Sequence, residues 1–283
     1  MTGSPSYLRV FLTFARNSLV RDMTFRTNFL INAVTSVCWM LMNLGFYVLI
    51  FENVQLAGVE LQIGGAEAGW GRYQFFVFIA TTMIVNSLVQ ALFMPNADEF
   101  SELIRTGGLD FALLKPIDTQ FLVSLQRIEW SALANFAFGL ALMSFAFWRL
   151  DYLPGWPQLL LYPVYIACGV AILYSLMISL AATSVWLGRN QSLYDFWFYL
   201  TNFSRYPMEI YGGNALGVGL RVFFTFLIPV LVVVNVPARV LAQPLERQNW
   251  WLALFALLAT AGSLWVSRRV FQWALASYRS ASS

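Results

Sequence analysis

Between Arg26 and Glu52 the chain carries no formal charge. A helix of that length in a soluble protein needs a polar face, so this run has to be solvated by hydrocarbon, where about 20 apolar residues complete a span. Comparable runs recur along the chain. A segment crossing lipid must satisfy its own backbone groups, so they predict an all-α polytopic membrane protein. Of the 283 residues, 59% are apolar, 17% aromatic and 11% charged, with mean hydropathy +0.64. Soluble domains carry roughly 25% charged residues, so this chain has too few to cover a globular surface.

The apolar runs predict six spans in a single transmembrane domain over 1–283: 27–51, 73–94, 130–148, 159–187, one within 190–242, and 250–267. Residues 1–26 lack the uninterrupted apolar core of a signal peptide, because Arg9, Arg16, Arg21 and Asp22 break it. Ser6, Arg9, Thr13, Arg16 and Asn17 share one helical face, which predicts a helix lying in the membrane interface with its arginines toward anionic headgroups. The loop Glu52–Arg72 holds Glu60, Glu67 and several glycines and is too short to be a domain.

Two layouts fit 190–242. In one, 217–236 is a simple span, with Ser192–Phe203 interfacial and Arg221 snorkelling. In the other, the span lies near 191–207, and Val222–Val236 dips into the membrane and returns, helped by Pro229 and Pro237. With both termini cytoplasmic, the first layout leaves only Arg72, Arg149, Arg239 and Arg247 outside, out of 17 lysines and arginines. The second moves Arg205 and Arg221 outside as well. Both obey the positive-inside rule, and both place the stretch after the second span in the cytoplasm. The net charge of +3 serves this topology and does not point to nucleic acid.

That stretch, Pro95–Thr119, is the one long polar interruption. Asn96–Arg105 has the periodicity of a short amphipathic helix, with Phe100, Leu103 and Ile104 opposite Asp98, Glu99, Glu102 and Arg105. Gly107 and Gly108 end it, and the second glycine is expected to loosen the turn. Leu109, Asp110, Phe111, Leu113 and Leu114 follow, closed by Lys115 and Pro116. A charged helix, a glycine break and an apolar knuckle make a docking surface.

The remaining chemistry is sparse. Histidine is absent, and Cys38 and Cys168 both lie in apolar runs, so neither a metal site nor a disulfide framework is expected. The only lysine, Lys115, is not part of a GxxxxGK[ST] phosphate loop, and no HExxH, GxSxG or CxxC occurs. The chain is therefore not expected to be an enzyme or to bind a cofactor. Asp195 is the one carboxylate within an apolar helix pattern; an interfacial position explains it as well as a functional one. Asn32, Thr82, Asn86, Gln90 and Asn135 are candidates for a substrate path, with hydrogen bonding between neighbouring helices as the alternative. Gly213 and Gly217 have helix-pairing spacing, but they follow directly on Gly212 and read as a pliable lead-in.

Three segments carry a resemblance: IRTGGLDFALLKPID (Ile104–Asp118), RYPMEIY (Arg205–Tyr211) and FLIPVLVVVNVPARVL (Phe226–Leu241). Together they resemble the permease subunits of type-2 ATP-binding-cassette exporters, in the branch with a glycine, Leu-Asp-Phe, Leu-Leu, Pro motif after the second span. The resemblance implies an N-terminal interfacial helix, six spans and a cytoplasmic coupling helix. It also implies separate ABC ATPase subunits, which hold ATP and Mg, and a second permease chain, identical or homologous. Glu99, Glu102, Arg105, Gly107, Asp110, Phe111, Leu113, Leu114 and Pro116 fall on the coupling segment by this resemblance. The implied function is ATP-driven export of a hydrophobic or amphipathic cargo across a bacterial cytoplasmic membrane. The rival reading is a self-contained secondary carrier or channel; a membrane-embedded enzyme ranks behind both.

Overall fold

The computed structural model describes residues 6–24, 26–56, 70–150, 152–187 and 191–278. Glu60, Glu67 and Arg189 lie outside the described residues, as does the side chain of Asp195. The described regular elements are helices: α1 (Tyr7–Thr24), α2 (Arg26–Leu56), α3 (Arg72–Leu92), α4 (Met94–Thr106), α5 (Leu109–Leu113), α6 (Thr119–Leu125) and α7 (Leu133–Arg149). They continue with α8 (Trp156–Ala182), α9 (Ser184–Leu187), α10 (Gln191–Asn202), α11 (Ala215–Val222), α12 (Val230–Ala242) and α13 (Trp250–Ser277). Single 310 turns and one π turn join them. The chain is an all-α polytopic membrane protein. Five described stretches are long and apolar enough to cross a bilayer: Phe29–Asn53, Arg72–Thr106, Trp130–Arg149, Trp156–Leu187 and Trp250–Ser277.

The bundle is centred on α3, α8 and α12, with α7 against α3 and α13 against α8. The Gly139 face of α7 meets α3 so closely that a Cβ there would sit 3.1 Å from Ile84 and 3.2 Å from the Ala80 carbonyl. Between α8 and α12 the approach is closer still. Pro237 has no N–H for the carbonyl of Val233, four residues earlier. The freed oxygen faces Gly169 of α8, where a Cβ would stand 2.7 Å away. Glycine is thus required at 169 by contact rather than by conformation.

Residues 215–242 do not run straight. Helix α11 and its π-turn extension to Leu227 meet α12 at an angle of 86°. The two outer ends of this hairpin lie together: Glu209, just before α11, pairs with Arg239 near the end of α12. Trp70 donates its indole N–H to the same carboxylate at 2.9 Å and lies fully buried under the Arg239 guanidinium. Deeper in, the backbone N–H of Met208 donates to Asn235 at 2.9 Å. At the α12 end, Gln158 of α8 donates to the Val240 and Gln243 carbonyls. The elbow at Ile228–Pro229 instead reaches the level of Ile172 and Ser175. From the elbow, α12 runs back to the bundle end that holds Trp70 and Trp156. It is α12, buried along nearly its whole length, that makes this tolerable in an apolar medium. Helix α10 precedes it as a 12-residue helix held to α8 by the Trp197 indole, 3.4 Å from the Leu173 carbonyl. Asn214 caps α11 by accepting the Gly217 N–H at 2.7 Å, which gives the Gly213–Gly217 spacing a local role.

Breaking one partner of a buried ion pair typically costs 3–5 kcal/mol, against about 0–1 kcal/mol for an exposed pair. Glu209→Ala should therefore lower the melting temperature of the detergent-solubilised protein far more than Glu102→Ala, which breaks the exposed Glu102–Arg105 pair. Equal shifts would show that the Glu209–Arg239 pair does not hold the hairpin.

Candidate functional site

At the opposite end, α3 leads through Phe93 into α4, an amphipathic helix with Phe100 fully buried. Gly107 ends α4 in the left-handed conformation, φ 74°, where other residues are strained. Gly108 takes an ordinary helical conformation, φ −62°, and a Cβ on it would meet Leu103 at 2.9 Å. The second glycine leaves room for Leu103 to pack over the turn.

The segment is fastened on every side. The Asn96 side chain donates to the Arg127 carbonyl and accepts the Arg127 N–H, at 2.7 and 2.8 Å. Glu99 pairs with the Arg127 side chain at 2.5 Å. Phe100, Leu109 and Ala112 share a core with Ile178, Ala182 and Phe271, from the ends of α8 and α13. Asp118 caps α6 by accepting the Phe121 N–H at 2.9 Å, and it takes both guanidinium nitrogens of Arg268 at 3.1 and 2.5 Å. Arg268 also reaches Gln120, which joins Ser124 on the Tyr174 hydroxyl. Burial alone would raise the Asp118 carboxyl; the bond to Arg268 and the α6 backbone N–H groups outweigh it and hold the carboxyl below its usual range. The amphipathic α1 docks alongside, with Ser18 accepting the Ile128 N–H at 3.1 Å and Asp22 accepting that of Trp130 at 3.2 Å. Its Leu8, Leu12 and Leu19 remain exposed, as a helix resting in an interface requires.

Helix α5 splits its apolar residues between two directions. Leu109 points inward and is fully buried, whereas Phe111 is 73% and Leu114 81% exposed. Leu113 is partly exposed, and Lys115 and Pro116 follow at the tip. Burial, and after it the neighbouring Asp110 carboxylate, raises the Tyr278 hydroxyl above its usual pKa. Glu102 and Arg105 pair with each other on the exposed side of α4. The sequence-selected residues thus separate into two sets. Glu99 and Gly107 build and fix the segment; Phe111, Leu113 and Leu114 are presented by it.

The five path candidates lie on α2, α3 and α7. Asn32 is exposed on α2, Thr82, Asn86 and Gln90 are half-buried along α3, and Asn135 of α7 is buried with its carbonyl oxygen unpartnered. Thr82 spends its hydroxyl on the Phe78 carbonyl at 2.9 Å. None of the five lines the cavity between α8 and α13. Sequence reasoning missed the pairs Glu209–Arg239 and Asp118–Arg268. The first had a partial signal, since its members fall in the two proline-bearing segments Arg205–Tyr211 and Phe226–Leu241.

The family model described as ABC-2 family transporter protein matches residues 37–282. No curated protein and no solved structure matches the chain.

The lowered Asp118 carboxyl fixes the sign of a pH effect. A depressed folded-state pKa contributes stability that is complete above the ordinary carboxylate range and is lost as pH falls through the depressed value. Asp118→Asn should therefore melt at lower temperature than the parent at neutral pH, and the gap should close on acidification. A gap constant with pH would mean that the charge on Asp118 is not what clamps α6 to α13.

Proposed function

The chain belongs to the ABC-2 transporter family, and from that premise we propose that it is one permease half of an exporter whose ATPase subunits dock on the Phe111–Leu114 knuckle. The carrying observation is the exposure of two large apolar side chains at the tip of a segment otherwise packed, capped and ion-paired. An exposed Phe and Leu in water are a cost, and burial against a partner recovers it. The same segment is continuous with α3 and clamped to α8 and α13, so a push on the knuckle would be transmitted to three spans as a near-rigid body. ATP and Mg belong to the partner motors.

A second permease, identical or homologous, would complete the path. Helix α2 supports this reading: almost none of it is buried, and Leu30, Val34, Trp39, Phe46 and Leu49 are exposed along it. The scattered polar residues Asn32, Thr82, Asn86, Gln90 and Asn135 are consistent with half a path rather than a closed one. The aromatic-rich spans favour a hydrophobic or amphipathic cargo, exported from the cytoplasmic side. In this reading both termini and the coupling segment are cytoplasmic, and the Trp70–Glu209–Arg239 cluster faces the outside of a bacterial cytoplasmic membrane. A self-contained carrier or channel has no use for the exposed knuckle, and that difference is testable.

Burying a Phe or Leu side chain is worth roughly 1.5–3 kcal/mol, so losing both should weaken docking by more than about a hundredfold. Phe111→Ser combined with Leu114→Ser should leave the protein inserted and thermally stable while releasing the co-expressed ATPase on purification. Normal recovery of the ATPase with the double variant would refute the knuckle as its seat.

A further inference from the structure

The elbow at Ile228–Pro229 holds the flanks of α8 and α13 apart and leaves a cavity of about 480 Å3. Ser175 and Ser179 line it from α8, Gly262 and Ser263 from α13, and the elbow residues from above. Phe226, Leu227, Leu258 and Val266 along it are exposed, so it opens sideways from the bundle into the surrounding membrane. A trough with this lining takes an aliphatic chain.

One charged feature gives it a direction. Arg269 sits one turn beyond Val266 on α13, is exposed, and forms no ion pair among the described residues. Its guanidinium lies over Trp265 at 5.4 Å, and Trp186 meets Trp273 at 4.7 Å beside it. Tryptophans mark the headgroup level of a bilayer, and an arginine there favours phosphate.

We propose that this trough is a binding site for an anionic phospholipid of the leaflet on the coupling-segment side. One acyl chain lies along Phe226, Leu258 and Gly262. The phosphate meets Arg269. The lipid packs against the elbow and fills the space between α8 and α13. This site is independent of the cargo and of the motor seat.

Gly262 provides the test, because a Cβ there meets nothing within 4 Å and a larger side chain can occupy the trough without displacing protein. The purified full-length protein would be titrated with dioleoyl phosphatidylglycerol or dioleoyl phosphatidylcholine, and bound lipid counted by native mass spectrometry. Gly262→Phe should lower retention of both lipids by about tenfold or more, whereas Ala261→Phe, turned away from the trough, should not. Arg269→Gln should abolish the preference for phosphatidylglycerol. Parent-like retention by Gly262→Phe would overturn the proposal. An unchanged lipid preference in Arg269→Gln would overturn the headgroup assignment and the anionic class with it.

Discussion

Hydrocarbon offers no partner to an unpaired backbone group or charge, and that constraint governs this chain from end to end. It explains why the regular structure is helical and why the break at Ile228–Pro229 is walled by α8, α13 and a buried α12. It also explains why two arginines are spent on carboxylates. Arg239 with Glu209 fixes the mouth of the hairpin, and Arg268 with Asp118 fixes the coupling segment. The two pairs lie at opposite ends of the bundle and do similar work: each joins a non-spanning segment to a spanning or buried helix. Beyond α4 the chain instead exposes Phe111 and Leu114.

Those two regimes suggest how the permease can transmit force. The turn at Gly107, the core of Phe100, Leu109 and Phe271, and the bidentate Asp118–Arg268 contact leave the coupling segment little freedom relative to α8 and α13. The hairpin at the other end is held by α8 and by the Trp70 indole. Displacement at the knuckle would therefore move the bundle rather than bend the segment. Helix α2, scarcely packed on the rest, is the element most free to follow a second chain.

The long apolar helices and the α4–α5 turn were legible because each rests on local signals. Apolar length marks α2, α3, α8 and α13, and a glycine pair between amphipathic and apolar stretches marks the α4–α5 turn. Helix α13 starts at Trp250 as the apolar run does, capped by Asn249, which accepts the Leu252 N–H at 3.3 Å, and it continues to Ser277, ten residues past the run. The pairings were not legible. Asp118 and Arg268 stand 150 positions apart, and Arg268 has a sufficient explanation as a topology residue. The packing of Gly108 was not legible for a related reason: composition gives glycine conformational freedom, and only the fold shows Leu103 packed where a Cβ would be.

The central claim is that the knuckle, and not the rest of the α4–α6 surface, touches the motor. Photo-crosslinking addresses it directly, with a benzophenone amino acid placed singly at Phe111, at Leu114, or at Trp148 on the opposite end of the bundle. In membranes co-expressing the ATPase, positions 111 and 114 should each capture the ATPase chain, and position 148 should not. Absence of that adduct at both 111 and 114, with the complex demonstrably assembled, would contradict the account.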